Sequence, residues 1–149
     1  MIKVCTLLDH DGWLPLRSAL WPDSAPDGER EAEAILGTPE RYRVLVFVGQ
    51  DGNAQGFSEA SIRSDYVNGT SSSPVAFLEG LYVLPSCRGR GVARQLVMAI
   101  QQWALSMGCT ELASDALLAH VGSHGMHGAL GFVETERVVY FLKVLKAKS

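Results

Sequence analysis

A carboxylate interrupts the most apolar stretch of this sequence. Phe77-Leu78-Glu79-Gly80-Leu81-Tyr82-Val83-Leu84 reads as a buried strand, and Glu79 is out of place in it unless it has a partner or a task. Pro85 and Ser86 break the strand, and Arg88-Gly89-Arg90-Gly91-Val92-Ala93 follows, running directly into a long amphipathic helix. Strand, glycine-rich turn and helix together make a phosphate-binding arrangement. Glycines let backbone approach a ligand closely. The free N–H groups and positive dipole end of the helix favour an anion, and arginines add charge-assisted hydrogen bonds. The turn is not a P-loop, because no Gly-Lys-Ser/Thr follows, and the Gly-x-Gly-x-x-Gly spacing of a dinucleotide fingerprint is absent.

Positioning these groups needs a framework, and the periodicities supply one. Ile2 to Leu7 reads as a first strand. Trp13, Leu16 and Leu20 mark one face of a short helix that stops at Trp21-Pro22, since a residue before proline disfavours the helical region. Glu29 to Leu36 reads as a second helix ended by Gly37. Tyr42 to Val48 is a buried strand, Asp51-Gly52-Asn53 a hairpin turn, and Ala54 to Tyr66 a long second arm. The turn at Asn68-Gly69-Thr70 leads to the Phe77 strand. The helix from about Gly89 to Met107 presents Val92, Ala93, Leu96, Val97, Ile100, Trp103, Ala104 and Met107 on one face, with Gly108 as its C′ residue. Thr110 to Ser114 is then a short strand, parallel to the Phe77 strand if the helix is a right-handed crossover. Leu117 to Leu130 is a further helix, and Phe132 to Leu145 is β-rich, dividing into two strands near Thr135–Glu136. The fold class is α/β (α+β): a mixed central sheet flanked by about four helices.

With 149 residues the expectation is a single domain spanning 1–149. Apolar residues make up 47 %, enough for a core, and the net charge of −3 gives no reason to expect nucleic acid as a partner. Cys5, Cys87 and Cys109 are odd in number and widely spaced, so neither a disulfide framework nor a zinc site is indicated and a reducing cytoplasm is expected. His120 and His124 stand at i, i+4 but lack the glutamate of a His-Glu-x-x-His site, so no metal is expected. No signal peptide and no apolar run of membrane-spanning length is present, so no membrane partner is expected.

Arg88, Gly91 and Ala93 realise the pattern Arg-x-x-Gly-x-Ala, which resembles the pyrophosphate loop of the GNAT family of N-acetyltransferases. The order of elements resembles that family over nearly the whole chain, and Gly131-Phe132 resembles its Gly-Phe hallmark. The resemblance implies acetyl-CoA as cosubstrate. It implies backbone contacts along Leu81, Tyr82 and Val83, a pyrophosphate wrapped by Arg88, Gly89, Arg90, Gly91, Val92, Ala93 and Arg94, and a pantetheine contact at His120, where the family usually has asparagine. A bulge in the Leu81–Val83 strand would splay it from its neighbour and free its N–H groups. One of them could polarise the thioester carbonyl.

Local strings go further. Leu20-Trp21-Pro22-Asp23, Glu59-Ala60-Ser61-Ile62-Arg63, Asp65-Tyr66-Val67-Asn68-Gly69, Phe77-Leu78-Glu79-Gly80, Ala113-Ser114-Asp115 and Glu134-Thr135-Glu136-Arg137-Val138 together resemble the aminoglycoside 6′-N-acetyltransferases of the chromosomal Acinetobacter and Salmonella type. This implies an antibiotic-resistance acetyltransferase working as a homodimer. It puts Trp21, Ser24, Tyr66, Glu79, Asp115 and Glu136 at substrate-contacting positions. The residue types suit that acceptor: a polycation built of sugar rings calls for carboxylates and aromatic faces. Asp115 lies just past a strand end, where open α/β sheets place ligands. Glu79 is the leading base for deprotonating the amine, with Asp115 as the alternative or as an orienting group. No general acid is assigned.

The bland readings are that Asp115 only caps a helix, Trp21 only packs, and Glu136 is a solvated hairpin residue. Two other functions compete. One is a GNAT enzyme for a polyamine or peptide amine. The other is a non-catalytic module that binds acyl-CoA or drug without turnover.

Overall fold

The computed structural model of the chain describes residues 1–24, 27–116 and 118–146. Two compact units are present, Met1–Asp115 and Ala116–Ser149. The first holds a five-stranded mixed sheet in the order β1-β2-β3-β4-β5. Its strands are β1 (Ile2–Val4), β2 (Tyr42–Val48), β3 (Ala54–Arg63), β4 (Val75–Val83) and β5 (Leu112–Ser114). The first four pair antiparallel in chain order, and β5 joins β4 in parallel. A parallel neighbour requires a crossover, supplied by α3 (Val92–Ser106). The remaining helices are α1 (Trp13–Leu20), α2 (Gly28–Leu36) and, in the second unit, α4 (Val121–Ala129).

Alternation along β3 sorts the two faces of the sheet. Phe57 packs in one core with Trp13 and Leu16 of α1 and Ala32 and Ile35 of α2. Ala60 packs in the other core with Val92, Leu96, Ile100 and Trp103 of α3, which Ile62 also joins. The apolar face of α3 is the one its periodicity gives, except that Met107 falls at the C-cap and is 37 % exposed. Burying side chains such as Leu96 and Ile100 contributes about 1.5–3 kcal/mol each. Gly108 ends α3 at φ +83°, where a side chain would be strained.

Several boundaries differ from the sequence expectation. β1 stops at Val4, although Cys5 still donates to the Val44 carbonyl, and Leu8 is 98 % exposed. β3 ends at Arg63, so Tyr66 stands in the following loop. α4 begins at Val121 instead of Leu117, which lies outside the described residues.

The largest difference is in the second unit. Residues 132–146 form no strand among the described residues, where two were expected. Their alternation of apolar side chains supplies strand propensity, but a strand exists only when a neighbouring edge completes its hydrogen bonds. No ladder of the chain includes them. Phe141, Leu142 and Leu145 are consequently 93 %, 90 % and 91 % exposed.

Candidate active site

Glu79 sits at an irregularity in β4. Glu59 of β3 pairs with Gly80 and the next residue, Ala60, pairs with Leu78, so Glu79 is an extra residue bulged out of the ladder. The bulge resets the alternation. Before it, Phe77 packs with Val67 and Val75, while Ala76 faces Ala104 at the end of α3. After it, Tyr82 joins the α1 side and Leu81 and Val83 the α3 side. Glu79 and Gly80 therefore present themselves on the same face, next to α1. The expected bulge is present, but two residues before Leu81.

The same place marks the end of the β4–β5 ladder. Its last pair is Leu78 with Ser114, and the Ser114 hydroxyl donates to the Leu78 carbonyl at 3.4 Å. From Glu79 to Val83 no strand pairs with β4 on that side, which leaves its backbone available to an extended ligand. Asp115 follows Ser114 as Glu79 follows Leu78. The two carboxylates thus flank the point where strands about 4.8 Å apart begin to separate.

Glu79 is held by groups on β3. Its Oε1 accepts from the Ser61 hydroxyl at 2.8 Å and from Arg63 Nη2 at 2.6 Å. Among the described residues its Oε2 accepts nothing. The Arg63 guanidinium lies 3.6 Å from the centroid of the Phe77 ring. Sequence reasoning did not single out Ser61 or Arg63 as site groups. The available signal was polar residues at alternate positions, Glu59, Ser61 and Arg63, in an otherwise apolar strand.

Trp21 covers the bulge. A Cβ added to Gly80 would lie 2.5 Å from Trp21 Cη2 and 2.8 Å from Cζ2, so only glycine lets the indole approach so closely. Trp21 meets Phe57 edge to face with centroids 6.2 Å apart. The Arg17 guanidinium lies 4.9 Å from the Trp21 ring and 5.5 Å from Trp13. Trp21 therefore packs against the core and also borders Glu79. Below it Arg17 Nε donates to Glu59 Oε1 at 3.0 Å and its Nη2 to Glu31 at 3.2 Å. Arg17 and Glu59 are both 4 % exposed. Burial pushes the Glu59 carboxyl above its ordinary range, against the pull of Arg17. Burial opposes the Arg17 charge, but its bonds to Glu59 and Glu31 outweigh that and hold it above its ordinary value.

The glycine-rich turn has the geometry of an anion cradle. Gly89 and Gly91 adopt φ +78° and +80°, and no Cβ contact fills the space beside either one. Gly91 is the N-cap of α3 with no side-chain cap, so the helix start keeps donors for a ligand. Arg88 turns inward: its Nε donates to the Val83 carbonyl at 2.8 Å, tying the turn to the end of β4. These residues fit a pyrophosphate followed by an extended arm along Leu81, Tyr82 and Val83.

Tyr66 is 75 % exposed, its neighbour Val67 being anchored in the core. Ser24 ends a short 3-10 turn, Pro22–Ser24, and its side chain lies outside the described residues. His120 and Glu136 belong to the second unit. His120 is the N-cap of α4, and Glu136 lies in the segment without strand. Among the described residues no group of His, Cys, Asp and Glu could hold a metal ion, and no helix is long and apolar enough to cross a membrane.

A bulged, splayed β4 leading through an uncapped glycine turn into a crossover helix defines an acyl-CoA-dependent transferase fold. The chain belongs to the acetyltransferase (GNAT) family, whose family model matches residues 11–132. Among its relatives is an aminoglycoside N(6′)-acetyltransferase type 1 of Serratia marcescens, 47 % identical over 97 % of this chain and 99 % of that protein. Another of the same description, from Acinetobacter haemolyticus, is 50 % identical over 95 % and 97 %. The crystal structure of an aminoglycoside antibiotic 6′-N-acetyltransferase from Acinetobacter haemolyticus, without ligand, superposes with a TM-score of 0.92 at 46 % identity, covering 98 % and 99 % of the two chains. A second solved structure, an AAC(6′)-Iy enzyme in complex with the bisubstrate analogue CoA-S-monomethyl-acetylneamine, gives 0.91 at 45 % identity and covers 97 % of each chain.

Proposed function

We infer that this protein is an acetyl-CoA-dependent aminoglycoside 6′-N-acetyltransferase, and so an aminoglycoside-resistance enzyme. The observation that carries the reading is one carboxylate, Glu79, lifted out of β4 where the strand opens toward β5 and leads into the anion-binding turn. A cationic amine and a phosphate-bearing acyl donor can meet there. Near-full-length identity to enzymes of that description supports the acceptor.

Acetyl-CoA supplies the acetyl group as a thioester that an amine lone pair can attack directly. Gly89 to Arg94 would hold its pyrophosphate, and the open side of Leu81, Tyr82 and Val83 its extended arm. A free N–H there donates to the thioester carbonyl as negative charge develops on it. Glu79 takes the proton from the 6′-ammonium, directly or through water, and Asp115 orients the amine or shares that task. The departing thiolate, with a pKa of about 8.5 for an ordinary thiol, needs no strong acid. Trp21, Tyr66, Ser24 and Glu136 would supply the remaining substrate contacts, and His120 the one that asparagine makes in the family. Proximity in the ternary complex accounts for much of the rate.

The protein works in the cytoplasm as a homodimer. Its exposed apolar segment around Val138–Leu145 finds its missing edge on a second copy. Light scattering of the wild type and of a Phe141→Asp, Leu142→Asp double variant tests this: dimer for the first, monomer for the second. A monomeric wild type overturns it.

The activity is tested by CoA release from acetyl-CoA, read with a thiol reagent. Turnover with kanamycin and tobramycin and none with a 6′-hydroxyl aminoglycoside is expected. Turnover only with spermidine or a lysine peptide would keep the family and overturn the acceptor. Acetyl-CoA binding without any turnover would overturn the enzyme.

A further inference from the structure

The ion pair on Glu79 carries an inference beyond the contacts above. Glu79 is surrounded as if it already held a cation. Arg63 Nη2 binds Oε1 at 2.6 Å, and Ser61 binds the same oxygen at 2.8 Å. The guanidinium is fixed from behind by the Phe77 ring at 3.6 Å, a stacking that limits its freedom to leave. The side chains of Arg63 and Glu79 keep 39 % and 27 % exposure, so the pair is open to an incoming ligand. Arg17 neutralises the other nearby carboxylate, Glu59. It lies on the far side of that carboxylate from Glu79 in the bond network, because its own bonds run to Glu59 and Glu31. Arg63 is thus the cation bound to Glu79 itself.

We propose that Arg63 is a positioning residue that clamps Glu79 by Oε1, reserves Oε2 for the acceptor amine, and competes as an internal cation with the substrate's positive charge. The proposal rests on the reading of Glu79 as the amine-contacting carboxylate. Two consequences run in opposite directions. Removing the guanidinium releases the carboxylate from its fixed orientation, so fewer bound complexes place an oxygen at the amine and kcat falls. It also removes a positive charge that opposes a polycation, so the aminoglycoside binds more tightly and its KM falls. General damage to the fold does not do this: it lowers the active fraction at unchanged KM, or weakens binding.

Steady-state kinetics of Arg63→Met, Arg63→Lys and Glu79→Gln with kanamycin test the proposal, each variant first shown to melt cooperatively. Arg63→Met is expected to lower kcat about tenfold and to lower the kanamycin KM about threefold to fivefold, the scale of one partly exposed charge contact. The KM for acetyl-CoA should stay unchanged. Arg63→Lys keeps the charge and one donor, so its KM should match the wild type and its kcat should recover most of the loss. Arg63→Met with wild-type kcat, or with a reduced kcat at unchanged or raised kanamycin KM, overturns the proposal. Glu79→Gln separates that failure from failure of the underlying reading. Wild-type kinetics in Glu79→Gln sink the role of Glu79 itself, whereas an impaired Glu79→Gln beside an unaffected Arg63→Met sinks only the clamp.

Discussion

Gly80→Ala tests the packing that joins Trp21 to the bulge. The backbone at Gly80 has no positive φ, so alanine adds no conformational strain and in open space would stabilise the strand by about 0.5–1 kcal/mol. Here the new Cβ lies 2.5 Å from Trp21 Cη2, 2.8 Å from Cζ2 and 3.1 Å from Leu20 Cδ2. The leucine methyl can rotate away. The indole cannot, because Phe57 meets it edge to face at 6.2 Å and Arg17 lies 4.9 Å from its ring. Overpacking of this kind costs about 1–3 kcal/mol, or about 2–9 °C in Tm for a chain of this size. Displacing the ring should also raise KM for the aminoglycoside and leave KM for acetyl-CoA unaltered. Trp21→Phe removes both offending indole atoms. Urea melts of the two single variants and the double variant therefore close a cycle. In the Trp21→Phe background, Gly80→Ala should be neutral or stabilising, giving a coupling of about 1–3 kcal/mol. The same penalty in both backgrounds would refute the contact as the cause.

Other expectations follow from the same geometry. Glu79→Gln should lower kcat/KM about 100-fold or more; Asp115→Asn should lower it too, and wild-type values in both would remove the assignment. Gly91→Ala forces a side chain to φ +80°, costing about 1–2 kcal/mol, and should raise KM for acetyl-CoA more than for the aminoglycoside. Arg17→Met leaves Glu59 buried without its guanidinium and should destabilise by about 3–5 kcal/mol in chemical denaturation. Glu59 also predicts a pH dependence. Its folded-state value is raised above 4.5 by burial, so its contribution to stability is full below 4.5 and is lost as pH rises through the folded value. The stability of the wild type minus that of Glu59→Gln should therefore decline as pH rises from 4.5; a difference that grew with pH would contradict the burial argument.

The sequence by itself determined the covalently contiguous parts of this protein. The strand, glycine turn and α3 lie within one uninterrupted stretch, and their signals are local: an apolar run, two glycines that need positive φ, and a helical repeat. The hairpin at Gly52, the stop at Trp21-Pro22 and the parallel placement of β5 were legible for the same reason. Local strings also carried the resemblance to the acetyltransferases. Only the tertiary structure decided where β4 bulges, because a bulge is a mismatch of register between two strands and neither strand encodes it alone. The partners of Glu79 and Glu59 likewise come from residues 16 and 42 positions away, brought close by that register and by the docking of α1. The apolar alternation of 132–146 shows the limit from the other side. Strand propensity is local, but a strand is a relation to an edge, and without one the same residues remain unpaired.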